Sequence, residues 1–113
     1  LETGGTLCTV EIALAEGLNV LWKRSCLTKD LKPDEARTAA DDFTRIFLGL
    51  NIAQTNDLRQ DAMEIALTQN IAFYDSLYVA ASKKLGGTLY TADQKLYRVA
   101  CKIANSTLLK QSK

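Results

Sequence analysis

Three carboxylates, Glu16, Asp75 and Asp93, are the residues of this chain whose type and setting could do chemistry. If the three meet in one pocket, they can hold a positive partner, a metal ion or a lysine. Acids brought close together repel, and a cation between them relieves the repulsion. Asp75 falls at the front of the stretch Phe73-Tyr74-Asp75-Ser76-Leu77-Tyr78-Val79-Ala80-Ala81. Free N–H groups and the positive end of the helix dipole favour an acid in that first turn. Eighteen residues on, the short apolar run Leu89-Tyr90-Thr91-Ala92 ends in Asp93. Each acid also has a plain explanation. Asp93 could simply match a helix dipole, and Glu16, Asn19 and Lys23 share a helix face that could be a solvated stripe. The alternative for Glu16 is an inward acid, which needs a metal ion or a lysine beside it because an unpaired buried carboxylate is costly.

The elements that must position these acids follow from periodicity. Residues Val10 to Leu27 read as a helix with Ile12, Ala13, Leu14, Leu18, Leu21 and Trp22 on its apolar side. Leu1 to Thr9 shows no clear period. Pro33 suits a first helical position, with Asp34 and Glu35 in the first turn and Ala36, Ala39, Ala40, Phe43, Ile46 and Phe47 at helical spacing. Leu48 to Ile52 is a short strand or a connection. Another helix begins near Asp57, capped with Gln60, and ends at Asn70. The helix around Asp75 has no wide polar face. Leu77, Val79, Ala80, Ala81 and Leu85 therefore predict burial, and Gly86-Gly87 a left-handed stop. Thr88 to Thr91 reads as a buried parallel strand, and Thr91 with Gln94 as the capping box of a further helix. Lys95, Arg98 and Lys102 read as a solvated face. Ser106 to Leu109 is a last edge strand before a frayed basic tail. Helices alternating with short apolar strands predict one α/β domain over residues 1–113, a three-layer sandwich around a small, mainly parallel sheet. Asp93, directly after a strand, then lies on the rim where such sheets bind ligands.

Composition narrows the chemistry. The net charge is +1, with Lys and Arg spread along the 113 residues, so bulk charge makes no case for a nucleic-acid binder. There is no histidine and no C-x-x-C, which removes a zinc finger and a histidine-based triad. Cys8, Cys26 and Cys101 read as small buried apolar residues in a reducing cytoplasm. No apolar run approaches membrane-spanning length.

Taken together, Tyr74 to Ala80, Lys84-Leu85-Gly86-Gly87 and Leu89-Tyr90-Thr91-Ala92-Asp93-Gln94-Lys95-Leu96 resemble the carboxyl half of a PIN domain, and Ile12 to Lys23 is similar to the helix carrying that family's Glu. The nearest resemblance is to the small prokaryotic toxins of VapBC pairs. It implies a metal-dependent endoribonuclease that binds Mg²⁺ or Mn²⁺ through Glu16, Asp75 and Asp93, with Thr91 and Asn19 in support. A bound ion would polarise the phosphodiester and activate water for in-line attack. The implied partners are RNA and an antitoxin protein, with no membrane. One departure is plain: nothing before Glu16 supplies the family's acid-bearing opening strand, and Glu2 is not set in a strand-like run. That predicts a weakened ligand set and exposed sheet edges, hence self-association as a homodimer or larger. Two alternatives follow. One is a catalytically impaired PIN-like module that acts by self-association or protein binding. The other is an unrelated Mg²⁺-binding phosphoacceptor domain, which a helix-borne Glu16 fits poorly.

Overall fold

The computed structural model describes residues 2, 3 and 6–109, with side chains from residue 7 onward. The expected basic tail at residues 110–113 lies outside the described residues. The elements run β1 (Glu2–Thr3), β2 (Thr6–Val10), α1 (Ala13–Cys26), α2 (Pro33–Leu48), β3 (Asn51–Ala53), α3 (Thr55–Gln69), α4 (Phe73–Leu85), β4 (Leu89–Thr91), α5 (Gln94–Ala100) and β5 (Ser106–Leu108). The chain is α/β, as expected. Its strands form two small sheets among the described residues: β1-β2-β3, and β4-β5. β2 and β3 are parallel, β4 and β5 are parallel, and β1 is antiparallel to β2.

The opening segment corrects the sequence reading. Thr6–Val10 is a strand with Cys8 and Val10 buried, and Glu2 sits in a short strand paired to Leu7. Alternation over so few residues, among threonines and glycines, leaves almost no periodic signal. This strand carries no aspartate. The acid that follows it, Glu11, serves the fold: its Oε1 accepts the N–H of Thr55 at 3.0 Å, one of the unpaired donors at the start of α3. That bond holds the Glu11 carboxyl below its ordinary range.

The core is built around α4. Leu77, Val79, Ala80 and Ala81 are buried with Leu58, Ala62 and Ile65 of α3, Val10 of β2, Leu89 of β4, and Leu96 and Ala100 of α5. α4 touches strands of both sheets and so joins them. Its side chains are buried on most faces as expected, although Leu85, at its end, is exposed. Asn70 (φ 54°) and Gly86 (φ 66°) close α3 and α4 in the left-handed conformation. Pro33 opens α2, and Glu35 reaches back to the N–H of Lys32 at 2.9 Å. The expected Asp57–Gln60 cap does not form, because α3 begins two residues earlier with Gln54 at its N-cap.

α1 is the exception to core building. None of its residues is fully buried, Val20 and Trp22 are about half exposed, and it packs chiefly against α2. The approach of α1 to α2 depends on Gly17, where a Cβ would run into the Phe43 ring. Gly17→Ala gains about 1 kcal/mol in helix preference but costs about 1–3 kcal/mol in overpacking. The expected result is a net loss of about 1 kcal/mol in urea unfolding, reversed when Phe43→Leu is added. Cys26 and Cys101 are exposed, against the expectation that all three cysteines are buried; only Cys8 is. Cys26 closes a helix with no buried face, so nothing covers it. Cys101 follows α5, and its thiol turns back to the Arg98 carbonyl.

Candidate active site

Three separate elements supply the acids. Asp75 is in the first turn of α4, beneath the N-cap Ala72, whose side chain offers the helix no hydrogen bond. It is partly buried, and its carboxyl is pushed above the ordinary range. Burial is the main cause, followed by the negative charges of Asp93 and Glu16, while Lys95 pulls the other way. The geometry agrees: Asp93 shares a pocket with Asp75, and Glu16 is tied to Tyr78, one turn beyond Asp75 on the same helix. Asp75, Asp93, Lys95, Asn70, Ile71, Ala72 and Leu96 line one pocket of about 190 Å³.

Asp93 has a second role. It is the N-cap of α5: its Oδ1 accepts the N–H of Lys95 at 2.9 Å and of Leu96 at 3.1 Å. This corrects the expected capping box. Thr91 does not cap the helix. Its Oγ1 accepts the Asp93 N–H at 3.0 Å and so tightens the turn between β4 and α5. Thr91 therefore sets the backbone of Asp93. Both helix bonds fall on Oδ1, which leaves the Oδ2 side of Asp93 toward other partners.

Glu16 is exposed in the first turn of α1. It is neither a buried acid nor a lone one, because its Oε1 accepts the Tyr78 hydroxyl at 2.5 Å across 62 residues of chain. Burial, Glu16 and Asp75 together push the Tyr78 phenol far above its ordinary range, so it remains a donor. Asn19 is exposed one turn beyond Glu16 and makes no hydrogen bond to the trio among the described residues.

Two contributors escaped the sequence reading. Tyr78 stands three residues after Asp75, a spacing that puts both on one face of a helix, and that signal was available. Lys95 reads as part of a solvated basic face with Arg98 and Lys102, yet it lies beside Asp75. Its place two residues after a rim aspartate could have flagged it.

The donor set fits a hard divalent cation in kind. It is all carboxylate, without histidine or thiolate, and its members raise the proton affinity of Asp75, which a cation would reverse. As the side chains stand, no three acids among the described residues are grouped closely enough to hold an ion together. Glu16 is turned to Tyr78 and Asp93 to its helix. No helix among the described residues is long and apolar enough to cross a membrane.

Comparison with known proteins identifies the family. The PIN domain family model matches residues 1–102. Ribonuclease VapC3 of Pyrobaculum aerophilum is 33% identical over 90 residues, which span 80% of this chain and 68% of that protein. An α/β chain with these acids on α1, α4 and the β4–α5 turn, matched over nearly its whole length, belongs to the PIN domain family.

Proposed function

We propose that this chain is a divalent-metal-dependent endoribonuclease of the toxin type, with Glu16, Asp75 and Asp93 as its ligand set. One observation carries the reading: Asp75 and Asp93, from two elements, line one pocket with Lys95, and Glu16 from a third is bonded to Tyr78 on the helix of Asp75. The name of the Pyrobaculum relative, a ribonuclease, supports RNA as substrate. Hydrolysis forms a P–O bond to the oxygen of water and breaks one to a ribose oxygen, which leaves with a proton. A bound Mg²⁺ or Mn²⁺ supplies positive charge for the phosphoryl oxygens and acidifies water. The side chains do the rest. Asp75 and Asp93 would hold the ion from the pocket they line, with Glu16 as the ligand from α1. The Lys95 ammonium meets the charge of the scissile phosphate. Thr91 keeps the turn that aims Asp93. An antitoxin that covers this acidic opening is the partner that fits such an enzyme.

A second reading is favoured by the spacing of the acids, which as they stand are not drawn together around an ion. In that reading the chain is a catalytically impaired module that works through self-association or protein binding. Val20 and Trp22 of α1, Leu27 just after it, and Ile46 and Leu48 of α2 give it exposed apolar surface. The discriminating experiment incubates labelled single-stranded RNA with the chain and Mn²⁺. Cleavage that stops with chelator, and is absent from the Glu16→Gln/Asp75→Asn double variant, is expected. Intact RNA, together with a concentration-dependent dimer in sedimentation velocity, supports the second reading instead.

A further inference from the structure

We infer that Tyr78 is a positioning residue for Glu16, holding the α1 acid over the α4 site through its hydroxyl. The inference rests on the proposed ligand set. Glu16 needs such a hold because its helix provides none. α1 has no buried side chain and an N-cap without a side-chain bond, and it leans on α2, with Ile12 and Ala13 at its start touching the core. An exposed glutamate on such a helix samples several rotamers, and ordering it costs entropy. Tyr78 is differently placed. Its ring is half-buried on the core helix, flanked by the fully buried Leu77 and Val79, and its hydroxyl reaches Glu16 Oε1. A rigid aromatic arm thus spans the gap between two helices that otherwise share little contact. It occupies one lone pair of one carboxylate oxygen, and Oε2 stays open toward a cation. Hydrogen bonds of this outer kind orient metal ligands, and their loss weakens metal binding about 10–100-fold.

The test is Mn²⁺ titration by calorimetry on the full chain, in a double-mutant cycle of Tyr78→Phe and Glu16→Gln. Tyr78→Phe keeps the ring and removes the hydroxyl, and its melting curve is recorded alongside to verify folding. The expected result is at least a 10-fold weaker Kd for Tyr78→Phe, with no further loss when it is added to Glu16→Gln. A merely structural role for the ring would weaken binding equally in both backgrounds. Tyr78→Gln, which restores a donor on a shorter arm, is expected to recover part of the loss if Tyr78→Phe unfolds or binds poorly. Unchanged or tighter binding by Tyr78→Phe, where Glu16→Gln weakens it, overturns the inference alone and makes the bond a competitor of the ion. Equal Kd values for wild type and Glu16→Gln overturn the inference together with the ligand set.

Discussion

Asp93→Asn is expected to leave the protein folded and to remove its RNA cleavage, by on the order of 100-fold or more, the scale seen when one preorganised charge-stabilising group is lost from an active site. The two effects separate because the proposed ligand role of Asp93 and its role as a helix cap have different chemical requirements. As the N-cap of α5 it needs an oxygen that accepts from Lys95 and Leu96 N–H groups, and the amide oxygen of Asn serves as well. Stability should therefore change by no more than about 0.5 kcal/mol, the part owed to charge at the helix start. As a cation ligand it needs a full negative charge, which Asn lacks. Asp93→Ala loses both roles and should cost a further ~1 kcal/mol in urea unfolding. Cleavage by Asp93→Asn at the wild-type rate would leave Asp93 as a helix cap alone.

The second large effect is at Asp75. Asp75→Asn should weaken Mn²⁺ binding by roughly 10-fold or more in calorimetry, yet stabilise the metal-free protein at neutral pH. The sign follows from the upward displacement of its carboxyl in the fold, caused first by burial and then by Asp93 and Glu16. Unfolded, the group titrates at about 3.9. Well below that value both states carry the proton, and the group neither helps nor harms. As pH rises through the window between the unfolded and folded pKa values, the folded state keeps a proton that the unfolded state has lost, so stability falls. Above the folded pKa the penalty is complete and constant. Asn carries no such penalty, so the variant's advantage should grow from nothing in acid to its full size by neutral pH. Thermal melts of both proteins across that range check it. Mn²⁺ should raise the wild-type midpoint and leave the variant's nearly unchanged. Equal Mn²⁺ heats from the two proteins would remove Asp75 from the site.

Much of this was legible in the residues, for reasons that differ by element. Burial of α4 follows from the lack of any polar stripe, and its end from a glycine that alone accepts φ 66° without strain. The turn from β4 into α5 is legible, but the expected cap, Thr91, lies two residues before the actual one, Asp93. Thr91 and Asp93 are both good acceptors, and sequence does not say which side chain meets the helix N–H groups and which meets its neighbour's backbone. β2 is hard to read because it is short, follows two glycines and is fixed by pairing with β1 and β3, a non-local fact. Lys95 and Tyr78 were missed as site residues because their significance lies in contacts between α5, α4 and α1 that no local pattern encodes. The inward orientation considered for Glu16 did not materialise. Its helix is open to solvent, and the acid meets the site from outside.

Among the described residues the two sheets share no strand pairing, and both pack on α4. The β4–α5–β5 segment, with Leu89, Leu96 and Ala100 as its inward residues, can therefore part from the rest in a sub-global opening that costs less than complete unfolding. Asp93 travels with that segment, whereas Asp75 and Glu16 stay behind. The proposed ligand set then spans two units, and heat or mild denaturant is expected to separate Asp93 from Asp75 and Glu16 while most of the secondary structure persists.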